Sequence, residues 1–253
     1  MERVRHLDKP HQISPHLYVV LAEIPHVRNA NAYLVKGEEN ILIDCGNKEG
    51  SERLRKNLNQ LDIDFPNVHH VVATHEHYDH INGFNEIKKA NPDVKFYIHK
   101  TGKKAVETGN KNRTAVIVYD PDGTRNLSFD PIKVNKKNLL RDGQILELGE
   151  HVFSVDHTPG HSKASISLRA EIDDAIYNFV GDTYKGHANK KIGSNFKEWR
   201  ESLTKMSKMD FDYLLNGHEW VTGLPITRQQ FLKDITQFAA MWNPWWSLPQ
   251  EDE

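Results

Sequence analysis

The segment Thr74-His75-Glu76-His77-Tyr78-Asp79-His80 concentrates three imidazoles and two carboxylates at the end of Val68-His69-His70-Val71-Val72-Ala73, an apolar run that reads as a buried strand. Packing alone does not call for that density of ligand-type side chains. A divalent metal does, because imidazole nitrogen and carboxylate oxygen suit zinc, iron or manganese. His75 and His77 are two residues apart, so on an extended segment both rings face one side, toward a shared ion. Asp79 and His80 follow as the chain turns and offer donors to a second position.

Three later places repeat the construction of apolar strand, tight turn and ligand-type residue. Val152 to Val155 leads through Asp156-His157-Thr158-Pro159-Gly160 to His161, Phe179-Val180-Gly181 leads to Asp182, and Tyr213-Leu214-Leu215-Asn216-Gly217 leads to His218. Ligands at the carboxyl ends of strands converge on a crevice, where open α/β sheets place their sites.

The elements that must position these residues form two blocks. Ile13 to Ile24, Ala30 to Val35 and Asn40 to Gly46 read as an opening antiparallel meander. Ser51 to Leu61, with Leu54, Leu58 and Leu61 at helical spacing, reads as an amphipathic helix capped by Ser51. The strand before the motif, a helix ending at Asn91-Pro92 and the strand Val94 to Ile98 make a βαβ unit with a parallel pair. Residues 102–137 are weaker in pattern: a short helical piece from Lys103 to Thr108, an apolar run from Ala115 to Tyr119 and the turn Asp120-Pro121-Asp122-Gly123. This stretch reads either as an excursion near the active site that covers substrate or as a surface insertion.

The second block has strands at Gln144–Leu148, His151–Val155, Ser165–Leu168 and Ala175–Val180. A helix from Phe196 to Met209 follows, then a strand from Phe211 to Leu215 and a last helix from Thr227 to about Met241, opened by the capping pattern Thr227-Arg228-Gln229-Gln230. Helices outside and two mixed β-sheets inside predict an α/β fold, a four-layer αββα sandwich, as a single domain over residues 1–253.

The 33 basic and 35 acidic side chains nearly cancel, so no global field points to nucleic acid or a membrane surface. Met1 to Pro10 lacks the apolar segment of a secretory signal, and the one cysteine, Cys45, offers no intramolecular disulfide; a cytoplasmic location is expected. No run approaches the length of a membrane span. The 15 histidines include His69, His70 and His99, read as strand-end or surface residues, and His157 and His187, read as supports for the ligands or as surface residues. Trp242, Trp245 and Trp246 form an aromatic tail over 242–253. It is read as a cap on the helical face of the core, as a cover for the pocket or as a homodimer contact.

Asp44 after the third strand, His75-x-His77-x-Asp79-His80, His161, Asp182 and His218 stand in one order, and in that order the sequence resembles the metallo-β-lactamase fold superfamily. The resemblance implies two divalent metal ions, zinc first, with iron or manganese as alternatives. His75, His77 and His161 would hold one ion, Asp79, His80 and His218 the other, and Asp182 would bridge them, while Asp44 would support a ligand. Asp79 is a candidate for orienting the nucleophile. Tyr184, two residues past Asp182, is a candidate for binding a substrate oxygen, as in lactonases of this superfamily, which carry a tyrosine three residues on.

An aspartate at the bridging position resembles glyoxalase II, the lactonases and the phosphodiesterases more than the β-lactamases. Too little chain follows His218 for the helical domain with which glyoxalase II grips glutathione, and no basic stripe suggests a polymer substrate. The expected function is therefore a dinuclear metal-dependent hydrolase that uses a bridging hydroxide on a small ester or lactone, acyl-homoserine-lactone-type substrates included. The alternatives are a phosphodiesterase or ribonuclease of the same fold, and, in another class, a mononuclear-iron sulfur dioxygenase or a metal-binding protein without turnover.

Overall fold

The meander opens with β1 (His11–Ser14), β2 (Leu17–Leu21), β3 (Ala32–Val35) and β4 (Asn40–Ile43), each antiparallel to the next. The expected single run from Ile13 is split, because Pro15 and His16 turn the chain back into a hairpin. The computed structural model describes residues 7–22, 29–186, 188–218 and 225–242, with 237–242 as backbone only. Ile24, His187 and the tail beyond Trp242 lie outside the described residues.

Next comes α1 (Ser51–Asn59), whose cap position is Gly50. Ser51 is the first helical residue, not the cap, and its hydroxyl donates to the Asn47 carbonyl. The Asn47 side chain in turn accepts the Gly50 N–H at 2.7 Å. β5 (Val68–Val72) lies parallel to β4 and delivers the motif, which continues into the one-turn α2 (Tyr78–Ile81). α3 (Phe84–Ala90) then returns the chain to β6 (Lys95–His99), parallel to β5, as the βαβ reading expects.

The 102–137 excursion contains α4 (Lys103–Thr108) and α5 (Val116–Tyr119), so the apolar run there is a helical turn. Its Phe129, Ile132 and Val134 pack into the core under the first helical layer. β7 (Leu139–Leu140) closes the first sheet, seven-stranded among the described residues.

Among the described residues the second sheet has six strands. β8 (Gln144–Leu148), β9 (His151–His157), β10 (Ile166–Ile172) and β11 (Ala175–Gly181) are antiparallel neighbours. After α6 (Phe196–Ser207), β12 (Tyr213–Asn216) runs parallel to β11, and the short β13 (Ile226–Thr227) pairs with β12 before α7 (Arg228–Trp242). A two-residue strand carries no periodicity, which is why the sequence does not reveal β13. The Thr227 hydroxyl accepts the Gln230 N–H at 3.2 Å, half of the expected capping box.

Alternation along the strands sorts the core into layers. Tyr33 and Val35 of β3, Ile41 and Ile43 of β4 and Val72 of β5 meet Phe153, Leu168 and Phe179 between the sheets. Ala32, Leu34, Leu42 and Val71 face the other way, against Leu54 and Leu58 of α1 and Phe84 and Ile87 of α3. Across the second sheet, Val180 and Leu214 pack on Met206 and Phe231 of the last two helices. Helix, sheet, sheet, helix is the expected αββα order, and both sheets are mixed.

Candidate metal centre

The ligand-type residues arrive from four strand ends on one edge of the sandwich. The loop after β5 and the first turn of α2 bring His75, His77, Asp79 and His80, the loop after β9 brings His161, and the ends of β11 and β12 bring Asp182 and His218. All seven come together, in overlapping groups His75-His77-His161, His75-His80-Asp182 and Asp79-His80-His218. All are buried except His218, which is partly so.

In the first group, Nδ1 of His77 lies 3.0 Å from Nε2 of His75 and 3.0 Å from Nε2 of His161. Donors placed 2.0–2.1 Å from one tetrahedral ion stand about 3.3 Å apart, close to this spacing. The tautomer of His75 is set by its neighbours. Thr74 Oγ1 donates to Asp44 Oδ2 at 2.7 Å, since a carboxylate only accepts, and the same oxygen lies 3.0 Å from His75 Nδ1. His75 therefore carries its proton on Nδ1 and turns an Nε2 lone pair toward the group, as a metal ligand must.

The second group is built alike. His80 Nδ1 donates to Asp44 Oδ2 at 2.8 Å, which leaves Nε2 facing Asp182 Oδ1 at 3.3 Å. Asp79 Oδ2 lies 3.2 Å from His218 Nε2. Among the described residues, His80 Nε2, His218 Nε2 and Asp182 Oδ1 are buried without a hydrogen bond. Polar atoms left so are costly in a protein interior, and convergent lone pairs repel; a cation at their focus removes both penalties, so the residues present fit a metal. Asp182 stands between the groups, with Oδ1 toward His80 and Oδ2 3.3 Å from His161 Nε2 and 3.6 Å from His218 Nε2.

Protonation follows the same geometry. Burial and the neighbouring imidazoles, His80 foremost for His75 and His161 foremost for His77, hold both rings well below the ordinary histidine range and therefore neutral. Burial pushes Asp182 upward, but the positive fields of His218, His80 and His161 outweigh it and keep the carboxylate ionised. Burial likewise opposes ionisation of Asp79, and the adjacent His218 ring together with the field of His80 overcomes it. His80 runs the other way: burial lowers it, and Asp182 and Asp44 raise it well above the usual range.

Close backbone approach makes the cluster this tight. A Cβ on Gly217 would stand 2.2 Å from Asp182 Oδ1 and 2.7 Å from His80 Cε1. Asp44 touches the centre only through others, accepting the Thr74 N–H at 2.8 Å as well as the two bonds above.

Tyr184 stands apart from the expectation that it binds substrate. Its ring is buried in the core beside α7, edge-on to Phe231 at 5.4 Å, and its hydroxyl donates to Asp234. That placement is a packed tyrosine with a carboxylate partner. Tyr78 is also core, tilted against Tyr119. Cys45 is a fully buried small residue whose thiol faces the Ile81 carbonyl. His70 and His99 are buried, not exposed, and His99 stacks on His157 with centroids 3.9 Å apart.

The sequence reading left three supporting residues without a role. Thr74 could have been found from its place between the strand and His75. Glu76, a ligand-type residue within the motif, belongs to none of the metal groups and pairs with Arg113. Arg113 lies in the excursion, where no periodicity points to it.

Residues 26–218 match the Metallo-beta-lactamase superfamily. The chain is 25% identical over 201 residues to the atrochrysone carboxyl ACP thioesterase dmxR1 of Cryptosporiopsis sp. (strain 8999), covering 77% of this chain and 51% of that protein. It is 26% identical over 242 residues to the "Probable metallo-hydrolase YflN" of Bacillus subtilis (strain 168), covering 84% and 88%. The chain spans just over half the length of dmxR1 and of several other curated relatives. Among solved structures, BJP-1, a subclass B3 metallo-beta-lactamase of Bradyrhizobium japonicum, superposes with a TM-score of 0.73 at 19% identity, over 95% of this chain and 97% of that one. At that identity the likeness speaks for the fold. Among the described residues no helix is long and apolar enough to cross a membrane. With the sequence match over most of its length and the shared fold in agreement, the chain belongs to the metallo-beta-lactamase superfamily.

Proposed function

We propose that this chain is a dinuclear hydrolase of a small acyl compound, an ester, lactone or thioester, in the lactonase-like branch of its superfamily. His75, His77 and His161 would hold one ion and Asp79, His80 and His218 the other, with Asp182 between the two groups. The position of Asp182 carries the reading, because its two oxygens face the two ligand groups at 3.3 Å each, Oδ1 toward His80 and Oδ2 toward His161. Zinc is the first expectation, with iron or manganese able to use the same donors. The thioester is included because the relative dmxR1 is named as a thioesterase.

Bound there, two ions would supply a water of lowered pKa and a Lewis acid for the acyl oxygen. The chain supplies the rest. Asp44 and Thr74 fix the tautomers of His80 and His75, and burial keeps His75 and His77 neutral and available as donors. Asp79 is held ionised against His218, so it acts as a ligand and orients the nucleophile from that position.

The test is a panel of an N-acyl homoserine lactone, an acyl thioester and bis(p-nitrophenyl) phosphate, assayed on protein of measured metal content. Turnover of an acyl substrate with about two metals per chain is expected. Turnover of the phosphodiester alone would replace this reading by a phosphodiesterase or ribonuclease, and one iron with oxygen consumption would replace it by a dioxygenase.

A further inference from the structure

Glu76 sits between two of the expected ligands, yet it belongs to neither metal group and its side chain is fully buried. A buried carboxylate is costly unless every oxygen is paired. Here both oxygens are. Oε1 accepts from Arg113 through Nε at 3.1 Å and through Nη2. Oε2 accepts from the Ser162 hydroxyl at 2.6 Å and from the Ala164 N–H at 3.3 Å. One side chain thus ties together the loop that carries His75 and His77, the loop that carries His161, and the 102–137 excursion.

The excursion is joined to the motif a second time. The Tyr78 N–H donates to the Thr114 carbonyl at 2.9 Å, next to Arg113 in sequence. Arg113 also lies under the turn that supports His161 from its other side. A Cβ on Gly193 would meet Arg113 Cδ at 3.5 Å, and the adjacent Ser194 donates its hydroxyl to the His161 carbonyl at 2.6 Å. The residues of the motif that do not face the metals therefore hold the excursion, and the excursion in turn brackets both loops of the first metal group.

From this geometry we infer that Glu76 and Arg113 are positioning residues for the His75-His77-His161 group, and that the 102–137 excursion sets the geometry of that group through them. Neither touches the reacting atoms. A buried ion pair contributes little net stability against well-packed apolar residues, so its effect here is the placement of three imidazoles. The planar guanidinium is needed for that, because lysine offers a single point contact where arginine offers a fork. The inference rests on the metal reading of the three histidines.

The full-length protein loaded with cobalt(II) reports this directly, through its visible ligand-field bands and the rate at which each equivalent is lost to a chelator. In Arg113→Ala, release of one equivalent should speed up about tenfold or more while the other is unchanged, with altered band intensity and a wild-type circular dichroism spectrum. Arg113→Lys should fall between the two. Ser162→Ala, which removes one bond and little volume, should show the same selective loss to a smaller degree, and it carries the test if Arg113→Ala does not fold. Wild-type spectra and release rates in both Arg113→Ala and Ser162→Ala would overturn the inference. A wild-type protein with no cobalt bands would instead overturn the metal reading, and the inference with it.

Discussion

Asp44 and His80 are joined by a 2.8 Å hydrogen bond between carboxylate Oδ2 and imidazole Nδ1, and that bond decides which nitrogen of His80 is free to bind. In Asp44→Asn, an amide N–H turned toward Nδ1 would move the ring proton to Nε2, the nitrogen that faces Asp182. Because the same carboxylate oxygen also accepts from Thr74, which sets His75, the variant should fold but bind both equivalents of metal about 10- to 100-fold more weakly. Chelator competition followed by metal analysis measures this. Two equivalents held with unchanged affinity would mean that Asp44 does not set the tautomer.

Gly217 borders the bridging carboxylate, and a methyl group there would stand 2.2 Å from Asp182 Oδ1. Gly217→Ala should therefore displace Asp182, reducing kcat and metal content together while the circular dichroism spectrum stays native. A variant with full metal content and full activity would show that the backbone moves aside at no cost to the centre.

Tyr184 separates a catalytic from a structural role in one substitution. Its hydroxyl donates to Asp234, which also accepts from Gln230 at 2.6 Å. Tyr184→Phe should leave kcat/KM unchanged and lower stability by about 1.5–3 kcal/mol, the range for losing a hydrogen bond to a charged group. Thermal melts and steady-state kinetics give both numbers, and a large loss of kcat at unchanged stability would put the hydroxyl on the substrate.

His99 provides a pH dependence remote from the metals. Burial, and then the field of His157 stacked upon it, pull its pKa down to about 3. In the unfolded chain a histidine titrates near 6.5. Between about pH 3 and 6.5 the unfolded state thus takes up a proton that the folded state refuses, so stability is complete above that window and falls as the pH drops through it. His99→Gln removes this contribution, and the fall in Tm between pH 7 and pH 5 should be smaller in the variant than in the wild type. Equal falls would show that His99 is protonated in the folded protein.

Much of this was legible in the sequence because strand ends punctuate it. The motif after Ala73, the Pro159-Gly160 turn before His161 and the glycines before Asp182 and His218 each mark where a strand stops and a donor begins. Two blocks of strands and helices similarly implied two layers of each. Support of the ligands was less visible, because it depends on contacts between distant segments. Glu76 and Arg113 are 37 residues apart, and Glu76 and Ser162 are 86 apart. Tyr184 shows the same limit: it stands two residues from Asp182 in sequence, whereas its partners Phe231 and Asp234 come from the last helix.

The central claim, two metals bridged by Asp182, is tested most directly by counting metal per chain in the wild type and in Asp182→Ala. The wild type should hold about two equivalents of a divalent ion and hydrolyse an acyl substrate, and Asp182→Ala should stay folded, retain about one equivalent and lose most of its activity. A wild type with a single tightly held ion, or an Asp182→Ala variant with two ions and full activity, would contradict the account.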